Sequence, residues 1–142
     1  MVKHGLVALI VCLVMPVAAQ QADTQTVERY LERAREYVKQ TPWKSIGPAE
    51  EALELARAQG NKSLEAEARL LLSKAALAMQ QNDDALEQLV AVLDLYRSLN
   101  DLAKVGEALQ GIGIVYEQIG EPKLSLQYLQ EALNVFQDIG DT

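Results

Sequence analysis

The chain has 142 residues, 49% of them hydrophobic, 23% charged and 5% aromatic. That is the length of one domain and the composition of a globular chain rather than a disordered one. The formal net charge of −7 makes nucleic acid and anionic lipid surfaces poor partners.

Residues 1–20 have the three parts of a secretory signal peptide in order. Lys3 and the α-amino group give a positive start, an apolar run follows from Gly5 to Met15, and Pro16 precedes the small residues Val17, Ala18 and Ala19. A cut is expected after Ala19 or Gln20, which places the protein outside the cytoplasm, periplasmic or secreted. The run is shorter than the roughly 20 apolar residues that span a bilayer, so no integral membrane segment is expected. Val11 before Cys12 is branched, where a lipoprotein leader carries a small residue, which argues against lipidation. The one cysteine, Cys12, and the one histidine, His4, leave with the leader. What remains has no thiol nucleophile, disulfide, Cys/His metal site or imidazole acid or base. Loss of Lys3 takes the formal charge from −7 to −8.

Beyond the leader the sequence is self-similar at a lag of 40 residues. Leu53, Leu93 and Leu133 align, as do Leu55, Leu95 and Val135, and Ala56, Tyr96 and Phe136. Gly60-Asn61, Asn100-Asp101 and Gly140-Asp141 recur at the same lag, and Gly, Asn and Asp tolerate the left-handed conformation that closes a helix. Three units are expected, 22–61, 62–101 and 102–141, each a pair of helices joined by a tight turn. In the first, Tyr30, Leu31, Ala34, Tyr37 and Val38 form a shifted apolar ladder, Thr41-Pro42-Trp43 ends it, and residues 51–56 (EALELA) restore the pattern. In the second, Ala68, Leu72, Ala75, Ala76 and Met79 are expected in the core, a turn is expected at Asn82-Asp83-Asp84, and Leu86, Leu89, Leu93 and Tyr96 form the next core face. In the third, Ala108, Leu109, Ile112, Val115, Tyr116 and Ile119 rise in threes and fours. Gly120-Glu121-Pro122 breaks that ladder, and Leu126, Leu129, Ala132, Leu133 and Phe136 are expected to be buried by the last helix.

The third unit carries Leu109, Ile112-Gly113 and Tyr116, the Gly120 turn, the small Ser125, and Ala132-Leu133 before Phe136. In these features it resembles a tetratricopeptide repeat of the longer, roughly 40-residue bacterial kind. The resemblance extends over residues 24–141 and weakens toward the first unit, where Arg33 stands in the column of Ser73 and Gly113. It implies an all-α, right-handed α-solenoid of three antiparallel helix pairs, with the degenerate first pair as an N-terminal cap. It further implies a concave groove lined by the first helix of each pair: Glu67, Leu70, Leu71, Lys74 and Leu77 in the second unit, and Glu107, Gln110, Gly111, Ile114 and Glu117 in the third. Relatives that clamp a terminal carboxylate place Lys, Arg and Asn there, and only Lys74 qualifies. Leu71 and Gly111 stand where an Asn ladder would grip a peptide backbone. The groove is expected to be apolar with acidic margins and to suit an apolar or basic peptide or protein.

Other candidate chemistry is weak. Glu50-Glu51-Glu54 and Asp83-Asp84-Glu87 read as solvated helix faces, since neither belongs to a Gly-containing calcium loop. Ser73 and Lys74 are adjacent on a helix and do not face each other, which removes a serine–lysine pair. Asn61-Lys62-Ser63 is a glycan sequon but reads better as a helix cap, and Trp43 reads as a buried plug in the first interhelix turn in preference to an exposed anchor. No cofactor, metal or catalytic residue is implied. The expected function is an exported protein-interaction scaffold. The alternative is the extracytoplasmic sensory input region of a larger signalling protein of the histidine kinase or diguanylate cyclase type, which a downstream membrane-spanning helix would mark. The last helix spreads Leu124, Leu126, Leu129, Leu133, Val135, Phe136 and Ile139 over more than one stripe, so it is expected to recruit a partner or self-associate.

Overall fold

The computed structural model describes residues 17–140, and every element among them is helical. The helices are α1 (Val17–Gln40), α2 (Pro42–Ala58), α3 (Lys62–Ala78), α4 (Asn82–Ser98), α5 (Leu102–Ile119) and α6 (Pro122–Gly140). The leader falls largely on residues 1–16, outside the described residues. Turns this short leave successive helices antiparallel. Each pair packs internally, α2 and α4 pack on the first helix of the following pair, and α1 also touches α3. The result is an all-α solenoid.

Four of the turns close in the same way, every 20 residues. Gly60, Gln80, Asn100 and Gly120 have φ of 64°, 59°, 54° and 86°. The next amide reaches back each time: Asn61 to the Ala56 carbonyl at 2.9 Å, Gln81 to Ala76 at 2.9 Å, Asp101 to Tyr96 at 3.1 Å and Glu121 to Tyr116 at 2.9 Å. This is the Schellman closure, which satisfies carbonyls that a helix end leaves orphaned. At two of these turns a side chain also caps the following helix. The Asn61 carboxamide accepts from the Leu64 amide at 3.1 Å, and the Asp101 carboxylate accepts from the Lys104 amide at 3.2 Å. The expected turn at Asn82-Asp83-Asp84 lies one step earlier, because Gln80 rather than Asn82 takes the left-handed conformation and Asn82 opens α4. At the other end, Gly140 closes α6, and Asp141 is outside the described residues.

The buried residues form two clusters with α3 between them. Val27, Leu31 and Ala34 of α1 and Ala49, Ala52, Leu53 and Ala56 of α2 meet Ala68 and Leu71 of α3. Ala66 and Ala76, on other flanks of α3, join α4, α5 and Ala132 of α6. Within the third pair the helices approach closely at Gly113, where a Cβ atom would lie 2.8 Å from Leu129 Cγ and 3.3 Å from the Ser125 carbonyl oxygen. The matching Ser73 is fully buried, its hydroxyl donating to the Leu70 carbonyl at 2.8 Å. Arg33 is exposed, and Ala34 takes the inward position beside it, so the first pair packs in a register shifted by one.

Several expected core residues are more exposed than their spacing suggests. Met79 and Ile119 end the first helices of their pairs and project past the next turn, and on α6 Leu126 and Leu133 face outward while Phe136 stands on the edge that also packs on Gly106. Trp43 is no plug. Ser45, Ala49, Ala52 and Ala56 fix the inward side of α2, and a residue two before Ser45 points away from it, so the indole is 62% exposed under the Lys44 ammonium, 5.3 Å from the ring centroid.

Gly113→Leu should cost about 1–3 kcal/mol through overpacking, while Gln137→Ala on the exposed side of α6 should change stability by about half a kcal/mol or less. Equal melting temperatures for the two variants would remove Gly113 from the packed contact. Gln80→Gly relieves a side chain held at positive φ and should stabilise by about 0.5 kcal/mol, after the glycine's extra chain entropy is deducted. A lowered melting temperature would contradict that account.

Candidate functional site

The chain holds no His or Cys beyond residue 20. Among the described residues no three His, Cys, Asp or Glu side chains come together as metal ligands would. The acidic runs Glu50-Glu51-Glu54 and Asp83-Asp84-Glu87 are exposed. No described helix is long and apolar enough to cross a membrane.

The first helices of the second and third pairs repeat one another's surface. On α3 the stripe is Glu67, Leu70, Lys74 and Leu77, and on α5 it is Glu107, Gln110, Ile114 and Glu117, at helical spacing and in the same register. Lys74, Glu107, Gln110, Ile114 and Glu117 are exposed, whereas Leu70 and Leu77 are half-buried, their inner sides against the core. Leu71 does not belong to the stripe. It is 5% exposed and packs with α1 and α2, because it points one helical step, about 100°, away from Leu70. Gly111 is its counterpart, where a Cβ would stand 3.0 Å from Leu89 Cδ2 of α4. The column shared by Leu71 and Gly111 therefore packs against the preceding pair and reads no ligand.

Two of the acids are engaged. The Arg35 guanidinium of α1 donates to the Glu67 carboxylate of α3, and the Lys104 ammonium donates to Glu107 at 3.1 Å. Both pairs are well exposed and so contribute little to stability, but they neutralise the margin, and the first of them joins α1 to α3. The expected acidic margin thus shrinks toward Glu117, and the apolar groups Leu70, Leu77 and Ile114 dominate. Sequence reasoning misses the Arg35 contact because the partners are 32 residues apart on helices of unequal register.

Beneath this face lies Tyr96 of α4, 4% exposed. Burial, then the carboxylates of Glu67, Glu107 and Asp101, push its phenol from 10.0 up to about 12. The folded state therefore holds the proton more tightly than the unfolded state. The resulting stability is complete below pH 10 and is lost as pH rises toward 12. The melting temperature should fall more steeply between pH 10 and pH 12 in the native protein than in Tyr96→Phe. Parallel curves would place the phenol outside this environment.

A tetratricopeptide-repeat family model matches residues 66–138. The fold is similar to the crystal structure of the TPR domain of Arabidopsis FLU, with a TM-score of 0.77 and 18% identity, over 82% of this chain and 98% of that one. No curated protein sequence matches the chain.

Proposed function

Since this chain belongs to the tetratricopeptide-repeat family, whose members are protein-interaction scaffolds, we propose that it is an exported scaffold whose α3–α5 face holds an extended, apolar or basic segment of a partner protein. The observation that carries this reading is the repeated stripe of Leu70, Leu77 and Ile114 with two of its carboxylates already paired. Apolar side chains of the partner lie against Leu70 and Ile114, and a basic group is attracted to the exposed Glu117. Export is supported by the leader sequence. The described core residues of α1, Val27, Leu31 and Ala34, lie beyond the expected cut after Ala19 or Gln20.

Peptides selected from a random displayed library against the purified chain should be rich in apolar and basic residues. Ile114→Ser should weaken them about tenfold, about 1.4 kcal/mol, and Glu117→Gln should weaken the basic ones selectively, with Gln137→Ala without effect. Peptides with no such bias, or indifferent to Ile114, would refute the assignment of this face. Intact-mass analysis of the exported chain should place its N-terminus at Gln20 or Gln21; recovery of Met1 on exported protein would refute processing.

A further inference from the structure

Leu126, Leu129, Leu133 and Phe136 of α6 are spaced three, four and three residues apart in one stripe, Leu126 and Leu133 facing outward and Leu129 and Phe136 on the edge that also packs on Gly113 and Gly106 of α5. The matching residues of α4 are Leu86, Leu89, Leu93 and Tyr96, which α5 and its cluster cover. The difference is large: Leu93 is 6% exposed and Leu133 47%, Tyr96 is 4% exposed and Phe136 38%, and Leu126 reaches 68%. On α4 the chain itself seats a helix, α5, on the matching stripe.

Three features choose the helix. The border of the stripe is Lys123, Gln127, Gln130, Asn134 and Gln137, and the carboxylate beside it, Glu131, which shares a hollow with Leu126, is paired with Arg97 at 3.2 Å. A copy of α6 therefore meets no like-charge repulsion from this border beyond that of a single lysine. The three-four-three spacing reads the same in both directions, so an antiparallel copy sets Leu126 opposite Phe136 and Leu129 opposite Leu133 about a two-fold axis level with residue 131, and Gln130 on the rim of the stripe lies one residue from that axis in each copy. The other end of the solenoid is unsuited to the stripe. The exposed residues of α1 include Glu28, Arg29, Glu32, Arg33, Arg35, Glu36 and Lys39, and covering such charges with leucines costs their hydration without pairing them. Head-to-tail stacking of copies is thereby disfavoured.

We propose that this stripe pairs with the same stripe of a second copy, α6 against α6 and antiparallel. A helix of 19 residues is roughly 28 Å long, and a single helix pair buries less than the roughly 800 Å² per partner of a standard stable interface. The dimer is accordingly a weak one, with a dissociation constant on the order of 10–100 μM. The half-buried Val135 and Tyr128 pack on the core from the other flank of α6 and take no part.

Sedimentation velocity of the full chain from about 10 μM to about 1 mM should show a monomer–dimer equilibrium that Leu126→Lys with Leu133→Lys shifts at least tenfold toward monomer, with helical content retained. In a Cys12→Ser background, Gln130→Cys on the rim of the stripe should form a disulfide-linked dimer under mild oxidation, whereas Asp138→Cys, on the side of the helix turned away from the stripe, should not. This second measurement stands even where the lysine variants unfold. A monomer throughout the range, association that survives the lysine substitutions, or cross-linking of the Asp138→Cys variant instead of the Gln130→Cys variant would each overturn the proposal. Saturable binding of a synthetic peptide of residues 102–119 by a monomeric chain would also overturn it, assigning the stripe to a further helix of the α5 kind.

Discussion

Helices α3 to α6 carry apolar residues on two flanks, and one neighbour can cover only one of them. In α3 this is visible directly: Leu71 and Ala68 close the first cluster, while Ala66 and Ala76 close the second. A single helix pair would leave half of that surface in water, so the pairs must stack, and the stack defines everything that follows. It buries the shared column of Leu71 and Gly111 between consecutive pairs, and it leaves Lys74, Gln110 and Ile114 exposed beside the half-buried Leu70. It also makes the two ends of the solenoid chemically different, one charged along α1 and one apolar along α6.

The stack requires equal steps, and these come from turn chemistry rather than from the core. A left-handed residue followed by a backward amide bond stops the helix at intervals of 20 residues, and at Asn61 and Asp101 a cap from the same turn starts the next. At the first junction the device changes: Pro42 opens α2 directly after Thr41, and no left-handed residue intervenes. That junction also follows the helix whose register is shifted, where Ala34 instead of Arg33 faces inward. The small column of Ser73 and Gly113 lets the paired helices approach, and in its absence the first pair finds a different fit.

Periodicity makes the fold legible, since the core ladders of α4 and α5 and the closures at Gly60, Asn100 and Gly120 all follow from residue type and lag. What escapes is direction around a helix axis. Leu70 and Leu71 are both leucines in an apolar run, and only the placement of α1 and α2 decides which of them is buried. Trp43 departs from expectation for a similar reason: aromatic residues usually pack, but here the helix starts at Pro42 and fixes the side on which residue 43 emerges. Gln80 carries no signal, because nothing in a glutamine announces a positive φ; the strain is imposed by the helices on either side. Of the site, the register is readable while the charge balance is not, since Arg35 and Glu67 belong to different pairs.

The two exposed apolar stripes differ in a way that separates their roles. On α3 and α5 the apolar groups are isolated among charges and amides, Leu70 and Leu77 half-buried, and Ile114 between Glu107 and Glu117. Such a surface offers separate contact points with polar relief between them, which suits an extended chain that brings its own backbone hydrogen-bonding groups. On α6 the apolar groups run unbroken at coiled-coil spacing beside a neutral amide border, which suits a helix whose backbone is already satisfied. Because the stripes lie on different helices and share no residue, occupation of one leaves the other open. A dimer formed through α6 would then present two partner-binding faces, and weak affinity at each face would be strengthened for any partner able to reach both.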